Sequence, residues 1–350
     1  MKKKQIMKVG YVYDPIYLKH DTGQHPENAR RLEAIISHLE QTGLKQQLSP
    51  IKPRAATIEE IALVHPKQYI AYIQKVAESG GGWLDVDTVT SPGSYDAAVY
   101  AAGGVIRATE AVMDGEVASA FALVRPPGHH ATASQAEGFC LFNNIAIATK
   151  YALNKYKLQR IAIVDFDVHH GNGTQETFYG DPRVLYVSTH EFPLYPGTGR
   201  IGEMGSGEGR GATVNIPLPA GTGDAEYLEV FDQIIVPVVR RFGPQLILVS
   251  AGYDAHWSDP LAMMAVSVTG FARMTGIIKG LADELCGGRV ALTLEGGYPL
   301  DTLAASVKAT FDVLLGNTDI EDPLGQPQRG VKPPDISPLI ESIKKVHKLL

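Results

Sequence analysis

Residues 161–174 read I-A-I-V-D-F-D-V-H-H-G-N-G-T, an apolar run that turns abruptly acidic and then imidazole-rich. Residues 161–164 are bulky and do not alternate with polar ones, which is how a strand buried on both faces of a parallel sheet reads. Four more runs share the pattern: 120–124 (AFALV), 184–187 (VLYV), 246–249 (LILV) and 290–294 (VALTL). Helical patterns surround them. Pro26 and Glu27 open one, with Leu32, Ile35, Ile36 and Leu39 at helical spacing and Gly43 as its stop. Thr57 and Glu60 form a capping box. Segments 95–114, 143–154, 225–241, 268–285 and 300–315 also read as helices, the third kinked or ended by Pro237. Strands alternating with helices predict an α/β fold, a single domain with a central, mainly parallel β-sheet flanked by helices on both faces. Its core is expected over about residues 8–320 of 1–350, with 321–350 as a C-terminal extension. The glycine-rich stretch 202–211 reads as a surface loop, and 323–338 as a wrapped or loose proline-rich tail.

The residues that follow the runs are the informative ones. After Val124 comes R-P-P-G-H-H, after Val164 D-F-D-V-H-H, after Val249 S-A-G-Y-D, and after Leu294 E-G-G-Y. Ligands of open parallel sheets bind beyond the carboxyl ends of the strands, so four strands deliver ionisable groups to one edge. Asp165, Asp167 and His169 lie two apart, on one side of an extended segment. A lone aspartate there reads as a turn or helix cap. Three such groups in five residues, joined by Asp254 and the pair His129–His130, read instead as a cation site. Zinc accepts carboxylate oxygen and imidazole nitrogen, and a catalytic zinc keeps three protein ligands. Two aspartates and one histidine would cancel its charge and acidify its water less than three histidines would. Such a site needs a separate general base, for which the histidine pair is available.

The composition narrows the partners. The chain has 350 residues, 44% hydrophobic, 20% charged, with net charge −6. That is ample for a large core and unlike a disordered chain. No basic stripe offers a nucleic-acid footprint. Lys2, Lys3 and Lys4, and the cluster Lys344, Lys345 and Lys348, read as solvated ends. No run of 18 apolar residues spans a membrane, and the run after Lys4 is too short for a signal peptide. Two cysteines, Cys140 and Cys286, make no disulfide framework, so a reducing, cytoplasmic location is expected. Nothing in the pattern specifies an oligomeric state.

Over roughly residues 8–320 the chain resembles the histone deacetylase family. The resemblance rests on H-P-E at 25–27, P-P-G-H-H at 126–130, G-F-C-L-F-N-N at 138–144 and D-F-D-V-H-H-G-N-G-T at 165–174. It continues with Y-P-G-T-G at 195–199, A-G-Y-D at 251–254 and L-E-G-G-Y at 294–298. It implies the fold shared by deacetylases and arginases, and hydrolysis of an acetylated lysine side chain or a small acetyl-amide. It also implies that Asp167, His169 and Asp254 bind zinc, with ferrous iron an alternative because ligand type alone does not set occupancy. His130 would take a proton from the attacking water and protonate the leaving amine. His129, held by Asp165, would hydrogen-bond the water or oxyanion. Tyr298 would donate to the substrate carbonyl. Gly138, Phe139 and Tyr195 would line a narrow tunnel, and the loop of Asp87 and Thr88 would hold the substrate backbone. The backbone around Asp165, Asp167 and His169, with Ser188, would hold a structural potassium ion.

Two departures stand out. His130 is expected to pair with Asn172, where some branches carry aspartate, which resembles the class II branch and bacterial amidohydrolases more than class I. Leu194–Tyr195 stands where many members carry two phenylalanines. The alternatives are an acetylpolyamine deacetylase, a binuclear manganese hydrolase of the arginase type drawing on Asp259 and His256, and a non-enzymatic reader of acetylated chains. Polyamine-selective relatives carry a glutamate where this chain has Leu261, and an apolar residue there favours a neutral alkyl stem. Cys140 could be read as a nucleophile, but a small buried residue in an apolar turn is the plainer reading. His170 and His256 read as structural, while His190 and Glu191 follow a strand without a fixed place.

Overall fold

The apolar runs become the centre of one sheet. The structure, a computed structural model, describes residues 8–327 and 333–349. Its strands are β1 (Val9–Val12), β2 (Ser49–Ile51), β3 (Gly82–Trp83), β4 (Val89–Thr90), β5 (Ser119–Ala122), β6 (Ile161–Asp165), β7 (Val184–Glu191), β8 (Thr213–Leu218), β9 (Leu246–Ala251) and β10 (Val290–Leu294). Eight form a sheet in the order β2-β1-β5-β10-β9-β6-β7-β8, with every neighbouring pair parallel. β3 and β4 make a separate antiparallel ribbon. Every residue of β5, β6, β7, β9 and β10 is buried, so both sheet faces are covered, as parallel sheets require.

Three sheet strands escape a search for bulky runs. β1 has four residues and contains Gly10; β2 and β8 carry Pro50 and Pro217. β2 and β8 are the two edge strands, where a missing N–H is tolerated. β7 also runs on through Ser188, Thr189, His190 and Glu191, all buried. Ser188 Oγ lies 2.9 Å from His190 Nδ1, and Glu191 Oε2 accepts from Met263 N at 2.8 Å, so this polar end keeps partners inside the protein.

The helices hold with small shifts. Asn143 caps Asn144–Tyr156 through Ala146 N, and Ser267 caps Val268–Cys286 through Gly270 N. The capping box of Thr57 and Glu60 forms, on a helix of only Ile58–Ile61. The helix expected from Pro26 starts instead at Arg30 and runs to Gln41, because Glu27 turns inward to meet two arginines. Nor does Pro237 end its helix. A π turn, Phe231–Ile235, precedes it, and the chain continues as Val236–Phe242.

Residues 202–211 connect β7 to β8 with one 3₁₀ turn, Gly207–Gly209. The described parts of the C-terminal stretch are packed: Trp257 Nε1 donates to Gly325 O at 3.0 Å, and helix Ser337–His347 buries Ile340 and Ile343 in the main core, while 328–332 lie outside the described residues. Lys344 therefore is not a freely solvated end; its Nζ donates to Gln233 Oε1 at 2.6 Å. Lys2, Lys3 and Lys4 lie outside the described residues. Among the described residues no helix is long and apolar enough to cross a membrane.

The four strands followed by chemistry, β5, β10, β9 and β6, are consecutive in the sheet. Their registers (Ala122 with Thr293, Leu294 with Ala251, Asp165 with Ser250) bring their carboxyl ends level.

Candidate active site

Asp165 is the last residue of β6, and the chain leaves the strand carrying Asp167 and His169. From β9 comes Asp254. Asp167, His169 and Asp254 place one ligand atom each within 4.8 Å of one another. Asp254 Oδ2 lies 3.1 Å from His169 Nδ1, Asp254 Oδ1 accepts from Val168 N at 3.0 Å, and Asp167 Oδ2 accepts from Gly296 N at 2.8 Å. Gly252 and Gly296 make room for this cluster. A Cβ on Gly252 would collide with Asp167 Oδ2, and one on Gly296 with Asp254 Oδ2. That is why the acidic motifs read A-G-Y-D and E-G-G-Y. Two buried carboxylates and an imidazole, pressed against glycine backbone, are a donor set suited to zinc.

The histidine pair follows β5. His129 Nδ1 lies 3.1 Å from Asp165 Oδ2, and His130 Nδ1 lies 2.8 Å from Asn172 Oδ1. Both expected pairings therefore form. The two rings sit 4.0 Å apart, yet their electrostatics diverge. Burial favours neutral His129, but Asp167 and Asp165 outweigh it and push the imidazole up to about 10. Burial and the neighbouring imidazoles of His129 and His169 push His130 well down. The Asp167 charge that raises His129 is one a metal would share, so the durable difference is geometric: one ring is held by a carboxylate and the other by an amide.

A pocket of about 230 Å³ opens over this cluster, lined among others by His130, His169, Tyr298, Phe139, Tyr195 and Leu261. Gly138 and Asp87 line it too. The Tyr195 ring meets His130 edge-on at 5.2 Å, and Phe139 meets Tyr298 at 5.9 Å. Phe139 is held at φ +69°, an unfavourable conformation for a bulky residue, which the neighbouring wall fixes: its N–H donates to Thr88 Oγ1 at 3.1 Å. Asp87 belongs to the β3–β4 turn, and its carbonyl lies 3.1 Å from His25 Nε2. Ser188, buried beside the cluster, pairs in register with Asp165.

Other candidates sit elsewhere. Asp259 accepts from Tyr298 N at 2.9 Å and Leu261 N at 3.0 Å, so it anchors the pocket wall. His256 Nδ1 faces Ser258 Oγ at 3.0 Å. Neither belongs to the ligand cluster, which leaves the arginase-type reading without its second set of ligands among the described residues. Cys140 is buried, and burial raises its thiol well above the usual range, against a thiolate nucleophile. His170 Nε2 meets Gln175 Oε1 at 3.1 Å and His190 Nε2 meets Gly199 O at 2.9 Å, both structural contacts.

Three contributors escaped the sequence reading. Glu295 Oε2 accepts from Gly128 N at 2.7 Å and His129 N at 3.2 Å, holding the histidine loop. Arg31 donates to the carbonyls of Gly297 at 2.7 Å and Glu295 at 2.6 Å. Glu137 accepts from Asn172 Nδ2 at 2.7 Å. Glu295 and Glu137 lie in or beside quoted motifs, and their charge was the available signal. Arg31 carried none beyond its helix.

The histone deacetylase domain pattern matches residues 25–314. A probable deacetylase of Archaeoglobus fulgidus is 45% identical over 298 residues, covering 84% of this chain and 82% of that protein. Histone deacetylase 14, chloroplastic, of Arabidopsis thaliana is 40% identical over 95% of this chain and 83% of its own length. Among solved structures, the HDA15 HD domain superposes with a TM-score of 0.87 at 34% identity, covering 98% of this chain and 94% of that one.

Proposed function

This chain belongs to the histone deacetylase family, and we propose that it hydrolyses the amide of an acetylated lysine side chain, or of a small acetyl-amide of that shape, with zinc held by Asp167, His169 and Asp254. The observation that carries the reading is that ligand cluster lying against a pocket that also gathers the histidine pair and Tyr298. When bound, the ion supplies Lewis acidity toward water and the acyl oxygen. Ferrous iron suits the same donors.

His130, neutral and hydrogen-bonded at Nδ1, has its other nitrogen available to take the proton of the attacking water and return it to the leaving amine. His129, held at Nδ1 by Asp165, is oriented to donate toward the developing oxyanion. Tyr298 supplies the second donor, its backbone pinned by Asp259. Phe139 and Tyr195 wall an alkyl stem, and Asp87 stands at the turn that would meet the substrate backbone. A potassium ion is proposed at the backbone of Asp165, Asp167 and His169 with Ser188, supported by the registered pairing of Asp165 and Ser188. The two buried free thiols suit a reducing compartment such as the cytoplasm.

Leu261 lines the pocket, which favours a neutral stem over a polyamine. A buried ammonium without a partner costs several kcal/mol. Turnover of acetyl-lysine peptide, acetylputrescine and acetylspermidine, with metal analysis of the same sample, tests the assignment. The peptide should lead acetylspermidine in kcat/KM by about tenfold, and Leu261→Glu should narrow that ratio. A wild-type preference for acetylspermidine, unchanged by Leu261→Glu, would overturn the substrate assignment.

A further inference from the structure

His130 leans on an amide, and an amide has two faces. Asn172 offers a carbonyl, which only accepts, and an NH₂ group, which only donates. Turned one way, it receives a hydrogen from His130 Nδ1 and leaves Nε2 with its lone pair. Turned the other way, it donates to Nδ1 and forces the ring hydrogen onto Nε2, where a base is useless. A carboxylate partner would not have this ambiguity, and among the described residues none lies directly on His130 Nδ1.

Glu137 removes the ambiguity from behind. Its Oε1 accepts from Asn172 Nδ2 at 2.7 Å while Asn172 Oδ1 faces His130 Nδ1 at 2.8 Å. Burial raises the Glu137 carboxyl, and the bond from Asn172 favours its ionised form; ionised, it accepts and never donates, so it takes the NH₂ end and turns the carbonyl end to the imidazole. The three groups form one chain, carboxylate to amide to imidazole, in which each bond polarises the next. The same segment grips the ring itself. Gly138 follows at φ +56°, and a Cβ there would run into His130 Cδ2.

We propose that Glu137 is a positioning residue that fixes the Asn172 amide and, through it, the Nδ1–H tautomer of His130. The inference rests on His130 being the general base. Through the amide, the carboxylate of Glu137 polarises the histidine although the residue adjacent to the ring is neutral.

The test uses the zinc-loaded enzyme, an acetyl-amide it turns over, and ¹⁵N NMR of its histidines. His130→Ala must first abolish turnover; if it does not, the reading of His130 fails, and the inference with it. Given that loss, Glu137→Met should lower kcat by about tenfold with KM within about twofold, as expected for an outer hydrogen-bond partner. The His130 signal should then move from a single Nδ1–H tautomer to a mixture. Glu137→Gln keeps the volume but not the one-sided acceptor, so it should lie between wild type and Met, and it serves if the Met variant does not fold. In an Asn172→Asp background no amide remains to be oriented, and Glu137→Met should cost less than about twofold. An equal loss in both backgrounds would assign Glu137 to loop anchoring alone. Glu137→Met or Glu137→Gln with wild-type kcat and an unchanged tautomer would likewise overturn the proposal while leaving His130 as the base.

Discussion

Two buried clusters of charge lie on either side of the E-G-G-Y turn, and they solve the same problem differently. In the first, Glu27 is 1% exposed and meets Arg31 and Arg125, both fully buried. Arg31 Nη1 donates to Glu27 Oε1 at 3.1 Å and Arg125 Nη2 to Glu27 Oε2 at 2.8 Å, while Arg125 also caps the carbonyls of Tyr17 and His20. In the second, Asp165, Asp167 and Asp254 meet imidazoles, backbone N–H groups and the Tyr186 hydroxyl, with no arginine or lysine paired to them among the described residues. The first cluster carries permanent cations on its own side chains and can only be structure. The second has cationic partners that titrate, so its charge can be taken over by a dication, and that makes it a site. Arg31 joins them: it donates to the Gly297 and Glu295 carbonyls and stands 5.2 Å over the Tyr298 ring.

The contrast can be broken most sharply at Asp254. Asp254→Ala should empty the zinc site and cut turnover by roughly a thousandfold or more, without global unfolding. Full zinc content in that variant would remove Asp254 from the ligand set. Next comes Arg125→Met, which strands Glu27 with one arginine. Breaking a buried pair from one side costs about 3–5 kcal/mol, read as a lower urea midpoint, whereas zinc content should persist in the folded fraction. A loss below about 1 kcal/mol would mean that the first cluster is not held by its charges.

Tyr298→Phe probes the joint between the clusters. Loss of an oxyanion donor should lower kcat by about a hundred- to thousandfold, or roughly 2.7–4 kcal/mol, with metal content unchanged. A loss under about tenfold would deny the hydroxyl that role.

Acid sharpens the first cluster. Burial alone would raise the Glu27 carboxyl, but Arg125 and Arg31 outweigh it and hold it at about 2, below its ordinary 4.5. A depressed folded value stabilises the protein fully above the unfolded value, and that contribution, roughly 3 kcal/mol, fades as pH falls from about 4.5 through about 2. Urea midpoints at pH 5 and pH 3 should therefore converge in Glu27→Gln compared with wild type. Parallel losses in the two proteins would show that other groups control acid unfolding.

The two clusters also differ in how they announce themselves. Asp165, Asp167, His169, Asp254 and the histidine pair directly follow bulky strands, so local pattern and strand-end chemistry point at them together. Arg125 also follows a bulky run, at the head of R-P-P-G-H-H, but nothing local paired it with Glu27, 98 positions away. The helix pattern placed Glu27 at the opening of a helix, and only its inward turn toward Arg31 and Arg125 shows what it does. The pairing of His130 with Asn172 was expected from resemblance, but the carboxylate behind the amide was not. Glu137 lies 35 positions from Asn172, and no periodicity links them.

Bulky, uninterrupted runs by themselves determined an α/β domain with a parallel sheet, because a strand covered on both faces has no polar side to show. They also located the sheet edge where ionisable groups collect. Tertiary structure alone decided the strand order β5-β10-β9-β6, the edge strands with their prolines, and the meeting of Asp167 with Gly296 across 129 positions. The physical reason is range. Hydrophobic pattern records how each segment meets solvent, residue by residue. Which donor meets which acceptor depends on how segments far apart in the chain are laid side by side, and that is settled only when the sheet and its helices pack.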